Sequence, residues 1–314
     1  MNYYFAPMEG LTDSVYRKAH HTYFSGVTRY YMPFLSPTIH RALTPRETRE
    51  LPAADSVSFA AVPQILTKVA DDFLWAAGQC ADLGYTEVNL NLGCPSGTVT
   101  AKGKGAGMLR DLQALDRFLD EIFTAAPLPI SVKTRLGFES SEEFPAILEV
   151  LNRYPILELT LHPRVRKAFY KGDVDMDAFR YCLANSKAPV CYNGNLCTMA
   201  QIEAFRQEYP QVQSIMIGRG LIGDPGLLDS NGTTPEALEA FMDTLAQEYE
   251  VVFGSARNAM FRLKENWRHL LCRFENSEKL GKQLMKTTDI SQYRQLVSQI
   301  IHTLPLAPAL QADW

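Results

Sequence analysis

The stretch Glu87-Val88-Asn89-Leu90-Asn91-Leu92-Gly93-Cys94-Pro95-Ser96 decides how the chain is read. Polar and apolar residues alternate from Glu87 to Leu92, the period of a β-strand, and Gly93 and Pro95 forbid its continuation. Such a strand delivers an amide, Asn91, and a thiol, Cys94, to the loop at its carboxyl end. Barrels of alternating strands and helices place their catalytic groups at that end.

Working outward, short apolar runs recur at residues 3–5, 26–30, 58–65, 86–91, 129–134, 156–162, 189–193 and 214–217. Helical patterns lie between most of them. One starts near Asp13. A second, at 68–83, puts Val69, Phe73, Ala76, Ala77 and Cys80 on one face, and a third, at 109–125, does the same with Leu112, Leu115, Leu119 and Ile122. Eight strands alternating with helices predict a (β/α)₈ TIM barrel rather than an open doubly wound sheet. Residues 32–56 lack periodicity and read as an extended loop on the barrel top. Past Gly232 no strand pattern remains, so residues 1–232 are read as a catalytic barrel and 233–314 as a smaller all-helical domain. Thr233 or Thr234 caps its first helix, with Pro235 in the first turn.

The composition, with 46% hydrophobic and 21% charged residues over 314 positions, is that of a well-cored globular chain. No apolar run approaches the roughly 20 residues that span a bilayer, and the N-terminus lacks the pattern of a secretory leader, so no membrane association and a cytoplasmic location are expected. Cys80, Cys94, Cys182, Cys191, Cys197 and Cys272 are scattered without CxxC or Cys/His pairs, which indicates neither a metal site nor a disulfide framework. A net charge of −4 argues against a general polyanion binder, yet residues 257–294 carry nine Lys/Arg against four acids, with Trp267 and His269 among them.

Candidate chemistry sits at successive strand ends. Ala6-Pro7-Met8-Glu9-Gly10 follows the first strand; Gln64 ends the third, a neutral donor and acceptor suited to a heterocycle's carbonyl and ring nitrogen. Lys133 and Arg135 fall on one side of the fifth strand, and two cations in a barrel mouth call for an anionic ligand. His162-Pro163-Arg164, followed by Arg166, Lys167, Tyr170 and Lys171, reads as a site for an anionic, ring-bearing ligand. Asn193-Gly194-Asn195 and Gly218-Arg219 end the seventh and eighth strands, where these barrels commonly cradle phosphate. Gly103-Lys104-Gly105-Ala106-Gly107 does not follow a strand directly and is no dinucleotide fingerprint; it reads as a flexible loop carrying Lys102 and Lys104 beside Cys94.

In this order on these strand ends, the motifs resemble the tRNA-dihydrouridine synthase family, flavoenzymes that reduce uridine in tRNA. The resemblance runs from Ala6-Pro7-Met8 through Val88–Pro95, Lys133-Thr134-Arg135, His162-Pro163-Arg164 and Tyr170 to Asn193-Gly194 and Gly218-Arg219, and the helical tail with Arg262-Leu263-Lys264 is similar to the family's RNA-binding domain. It implies FMN held by Pro7, Met8, Glu9, Gln64, Lys133, His162, Asn193, Gly194, Asn195, Gly218 and Arg219, with NADPH as reductant. It implies Cys94 as the proton donor to uracil C5 and Asn91, Arg135, Arg164, Tyr170 and Lys264 as contacts to a tRNA substrate. The oligomeric state is left open by the sequence, with a monomer as the default expectation. Pro163 stands where glycine is commoner in the family, and Asn195 where an acidic residue is. Three other readings remain at this level: an FMN barrel oxidoreductase acting on a small pyrimidine or another enone-like substrate, a cofactor-free lyase using Lys133 as a Schiff base, and a non-catalytic RNA-binding barrel.

Overall fold

The computed structural model describes residues 1–308 and 310; residues 309 and 311–314, which end the expected helical domain, lie outside the described residues. The strands are β1 (Asn2–Phe5), β2 (Arg29–Tyr31), β3 (Ala61–Val62), β4 (Gln64–Ile65), β5 (Val88–Leu92), β6 (Ile130–Gly137), β7 (Leu159–Val165), β8 (Val190–Tyr192) and β9 (Ser214–Ile217). They form one parallel sheet in the order β3-β2-β1-β9-β8-β7-β6-β5-β4. The sequence pattern at 58–65 predicts one strand there, and the structure has two. Pro63 has no N–H to give to a ladder, so the run breaks at it: β3 pairs with β2 while β4 pairs with β5. The chain itself bridges the seam, and the expected (β/α)₈ barrel stands.

Helices α1 (Ser14–Tyr23), α2 (Pro45–Glu50), α3 (Ala70–Asp82), α4 (Gly97–Thr100), α5 (Leu112–Ala125), α6 (Phe144–Leu151), α7 (Met176–Asn185), α8 (Met199–Glu208) and α9 (Arg219–Gly223) accompany the strands. All five residues of β5 are buried, as a strand walled by helices on one face and by the barrel interior on the other requires. The faces of α3 and α5 bury as their periodicity predicts, except Val69, which precedes α3 and is exposed, and Leu112, which opens α5 and is half-buried. Residues 32–56 are not simply extended: Thr44 and Glu47 form a reciprocal capping box that starts α2.

Two strands extend beyond their predicted ends, and both changes bear on the site. β6 continues to Gly137, placing Arg135 inside the ladder opposite His162. β7 begins and ends three residues later than predicted and contains Pro163, where the register with β6 shifts in a bulge. Proline is tolerated in a strand at such a bulge.

The remaining helices, α10 (Pro235–Phe253), α11 (Ala256–Leu270), α12 (Glu278–Lys286) and α13 (Ile290–Thr303), follow Gly232. Thr234 caps α10 by accepting from the Ala237 N–H, while Thr233 holds Asp224 and the Gly226 N–H. The helical part does not stand apart from the barrel. Phe241 of α10 lies edge-on to Tyr16 and Phe24 at 5.3 and 5.4 Å, and one hydrophobic core runs through both parts. Asp13 caps α1 and also accepts from Tyr249 Oη at 2.8 Å and Arg262 Nη2 at 2.6 Å, which ties α10 and α11 to the barrel. Among the described residues no helix is long and apolar enough to cross a membrane.

Candidate active site

A cavity of about 600 Å³ opens at the carboxyl ends of the strands, a size suited to a small ligand or cofactor. The barrel residues named from the sequence meet there: Pro7, Met8, Glu9, Gln64, Asn91, Cys94, Lys133, Arg135, His162, Arg164, Tyr170, Asn193, Gly194, Asn195, Gly218 and Arg219 all line it. Parallel register explains the convergence, since Asn91 pairs with Lys133 and Arg135 with His162 across adjacent strands.

Cys94 is held from below by a chain of hydrogen bonds that crosses the barrel interior. The N–H groups of Gly93 and Cys94 donate to Asn91 Oδ1 at 3.0 and 2.9 Å. Asn91 Nδ2 donates to Gln64 Oε1 at 2.7 Å, and Gln64 Nε2 donates to Asn89 Oδ1 at 2.7 Å. Asn89 Nδ2 then donates to Ser131 Oγ at 2.9 Å, and Ser131 to Glu87 Oε1 at 2.5 Å. Every donor points the same way, toward a carboxylate that Arg29 holds at 2.8 Å. The chain therefore fixes which end of each amide faces the cavity. Asn91 is largely committed: its carbonyl holds the Cys94 loop, and one amide hydrogen is left for a ligand.

The loop is held from the other side as well. The expected flexible loop gives way at Gly105: Gly105–Arg110 form a stretch of 3₁₀ helix, buried as far as Leu109, whose Ala106 N–H donates to the Cys94 carbonyl. Gly105 has φ +58°, and a Cβ there would sit 2.9 Å from Cys94 Cβ. Burial pushes the Cys94 thiol above its ordinary value, so it stays protonated at neutral pH and can act as an acid.

Lys133 makes no hydrogen bond or ion pair to any described residue. Burial, with Arg135 nearby, lowers it to about 7. Arg135 is fully buried and donates to the carbonyls of Gly93, Val165 and Phe169 at 2.9, 3.2 and 2.6 Å, which makes it a brace between loops as well as a local charge. Arg164 donates from Nη1 to His162 Nε2 at 2.9 Å. A guanidinium only donates, so Nε2 is the acceptor and the proton of the neutral ring resides on Nδ1. Burial and the surrounding Arg135, Lys133, Arg164 and Arg219 hold His162 well below its ordinary value, in agreement with that form.

At the far end of the cavity Asn193 Nδ2 donates to the Met216 carbonyl at 2.8 Å, and Arg219 Nη2 to Asn195 Oδ1 at 3.2 Å. Gly218 lets β9 approach the first loop, since a Cβ there would lie 3.2 Å from Met8 Sδ. Tyr170 lies 6.1 Å from His162, with the guanidinium groups of Arg135 and Arg219 over its ring at 5.2 and 5.4 Å.

Two residues of the helical part that the sequence associates with RNA, Lys264 and Trp267, turn inward. Lys264 does not line the cavity: it is buried, with Nζ donating to the carbonyls of Met285 and Thr287 at the end of α12. Trp267 is fully buried and donates to Tyr293 Oη at 3.0 Å, so it is a core residue. The inward stripe of α11 explains both. Conversely, His269 of α11 lines the cavity, held neutral by burial and by Arg219 and Arg268, which lower it to about 4. Phe34 and Phe169, which no sequence motif marks, line it too.

Comparison with known proteins bears on the fold and the family. The barrel is similar to morphinone reductase in complex with tetrahydroNAD (TM-score 0.51, 10% identity, covering 72% of this chain and 85% of that one). It is also similar to a 2-naphthoyl-CoA reductase complex (TM-score 0.54, 11% identity, covering 72% and 49%). At such identity these likenesses speak for the fold alone. In sequence the chain is 28% identical to tRNA-dihydrouridine synthase B of Proteus vulgaris over 221 residues, 70% of this chain and 67% of that protein. It is 24% identical to probable tRNA-dihydrouridine synthase 1 of Synechocystis sp. over 314 residues, 96% and 86%. The family model described as dihydrouridine synthase (Dus) matches residues 4–307, and the chain belongs to that family of flavin-dependent oxidoreductases.

Proposed function

We propose that the protein is an FMN-dependent tRNA-dihydrouridine synthase that uses NADPH to reduce the C5–C6 double bond of a uridine in the tRNA D-loop, with Cys94 as the proton donor. The observation that carries this reading is the pairing, in one cavity, of a thiol kept neutral by burial with a lysine that has no partner among the described residues.

The residues suit FMN. Lys133 and the buried Arg164 Nε are donors without an acceptor among the described residues, and an anionic, carbonyl-rich ring system would satisfy them. Gln64, Lys133 and His162 Nδ1–H would hold the ring; the first loop, Pro7 to Glu9, would border it; Asn193 to Asn195 with Gly218 and Arg219 would take the phosphate end. When bound, FMN supplies hydride to uracil C6 and is itself reduced by NADPH. The Cys94 thiol gives its proton to C5, so the two hydrogens added across the double bond come from different sources and the charges balance. Asn91 keeps the Cys94 loop in place and offers its free N–H to a uracil carbonyl. Arg164 and Tyr170 bound the substrate side of the cavity, with Arg135 bracing it. A uridine in folded RNA reaches such a pocket by leaving its stack.

The helical part supports an RNA substrate, though not through Lys264. Of the nine cations between 257 and 294, Arg262, Lys264 and Arg273 turn inward, while Arg257, Arg268, Lys279, Lys282, Lys286 and Arg294 are exposed. Lys279, Lys282 and Lys286 share one side of α12, a spacing suited to phosphates.

Anaerobic spectroscopy tests the reading. Flavin bands should bleach with NADPH and recover on addition of unmodified tRNA, and Cys94→Ala should still bleach but no longer recover. A colourless protein that FMN does not reconstitute would overturn it. Recovery with free pyrimidines and not with tRNA would favour a small-molecule oxidoreductase.

A further inference from the structure

Among the described residues three without glycine's freedom adopt positive φ: Arg41, Phe169 and Asn276. Of these only Phe169 lines the cavity, with φ 50° and ψ −103°, a conformation that a bulky residue takes only when its surroundings impose it. The surroundings do. Arg135 Nη1 holds the Phe169 carbonyl at 2.6 Å, and the Arg166 guanidinium lies 5.2 Å from the ring centre. Arg166 is fixed in turn by the Pro95 carbonyl and the Thr100 hydroxyl, both at 3.1 Å. It also lies 5.1 Å from the Phe138 ring, over which Arg110 sits at 4.7 Å.

Cation and ring thus alternate as Arg110, Phe138, Arg166 and Phe169, and Phe169, which lines the cavity, is 42% exposed. A strained backbone that presents an apolar ring to water gains nothing in the free protein. The strain and the exposure make sense together if a flat, electron-rich partner completes the stack.

We infer that Phe169 is a stacking platform for a nucleobase of the RNA, namely the base flanking the uridine that enters the cavity. Extruding one base leaves its neighbour with a bare face, and an aromatic ring fixed at the mouth replaces the lost contact. The inference rests on the RNA reading above and adds to it a second base site, next to that of the reacting uridine. Sequence tolerance follows, because every base offers a π-face.

The test uses the flavin-loaded, full-length protein and unmodified tRNA, with affinity followed by fluorescence anisotropy across a salt series. Phe169→Leu keeps apolar bulk and removes the π-face; its affinity should fall on the order of tenfold with the salt slope unchanged, because no phosphate contact is lost. Phe169→Trp should bind like the parent, and its added indole emission should be quenched by tRNA. Unchanged affinity of Phe169→Leu would overturn the inference, as would a loss accompanied by a shallower salt slope, which would assign the effect to Arg166 and a phosphate. Should Phe169→Leu lose its flavin and so report misfolding, quenching or its absence in Phe169→Trp decides. Failure of the parent protein to bind tRNA would instead remove the RNA reading itself.

Discussion

Raising the pH should weaken cofactor binding, and Lys133 sets by how much. In the free protein its ammonium titrates near 7. An anionic ligand placed against it restores the charge, so binding takes up a proton wherever the free lysine is neutral. Affinity should level off below about pH 7 and fall toward tenfold per unit above it, about 50-fold between pH 7 and 9, or ~2.3 kcal/mol. Neighbouring groups leave that window clear: His162 is neutral well below it, burial pushes Cys94 and Cys191 upward, and Arg135 titrates at about 10. The second ionisation of a phosphate monoester, near 6, is also complete by then. The same shift acts on folding with the opposite sense. The unfolded chain binds a proton at Lys133 up to about 10.4, so this group adds to apoprotein stability as the pH rises from about 7 toward that value. Quenching of FMN fluorescence by apoprotein, titrated at several pH values, measures the slope. A flat profile from pH 7 to 9, or an identical slope in Lys133→Met, would refute the reasoning.

Ser131→Ala interrupts the hydrogen-bond chain beneath Gln64 and Asn91 while leaving the Arg29–Glu87 pair intact; kcat for tRNA should drop about fivefold, the worth of one hydrogen bond, with KM unchanged and Ser131→Thr restoring it. A KM effect alone would place the chain outside the chemistry. Gly105→Ala drives a methyl into Cys94 and should cost about 100-fold in the tRNA-dependent reoxidation of the flavin, while the flavin spectrum persists; wild-type reoxidation would show that the thiol's position is not critical. Asp13→Ala removes a helix cap and leaves Arg262 partly buried without its partner, which should cost about 3 kcal/mol in thermal or denaturant unfolding. Equal stability of the variant would mean that the barrel and the helices are held by packing alone.

Much of this was legible in the sequence because period-2 and period-3.6 patterns are local. The strand at 88–92, the faces of α3 and α5 and the cap at Thr234 follow from neighbours in the chain. What escaped depends on partners far away. Pro163 looks like a terminator and is a strand residue, because a bulge against β6 absorbs its missing N–H. Lys264 and Trp267 look like an RNA-facing pair, yet the face of α11 that turns inward is set by docking on the barrel. The helix at 45–50 was within reach, since Thr44-Pro45-Arg46-Glu47 carries a start signal. The chain from Glu87 to Cys94 was not, since it joins residues of three strands whose polar side chains each look like isolated exceptions to a buried pattern.

The joining of α10 and α11 to the barrel has a metrical consequence. Because one core runs through both parts and His269 lines the cavity, the exposed lysines of α12 and Cys94 belong to one packed body, and the separation between them is set by how the helices seat on the barrel. On the function proposed above, a tRNA held at those lysines would present to Cys94 only the nucleotide that lies at that separation, whatever its sequence. Selection among chemically identical uridines would then be a matter of length and angle, and a change in how α11 seats on α9 would alter which one is reached without touching a residue that contacts it.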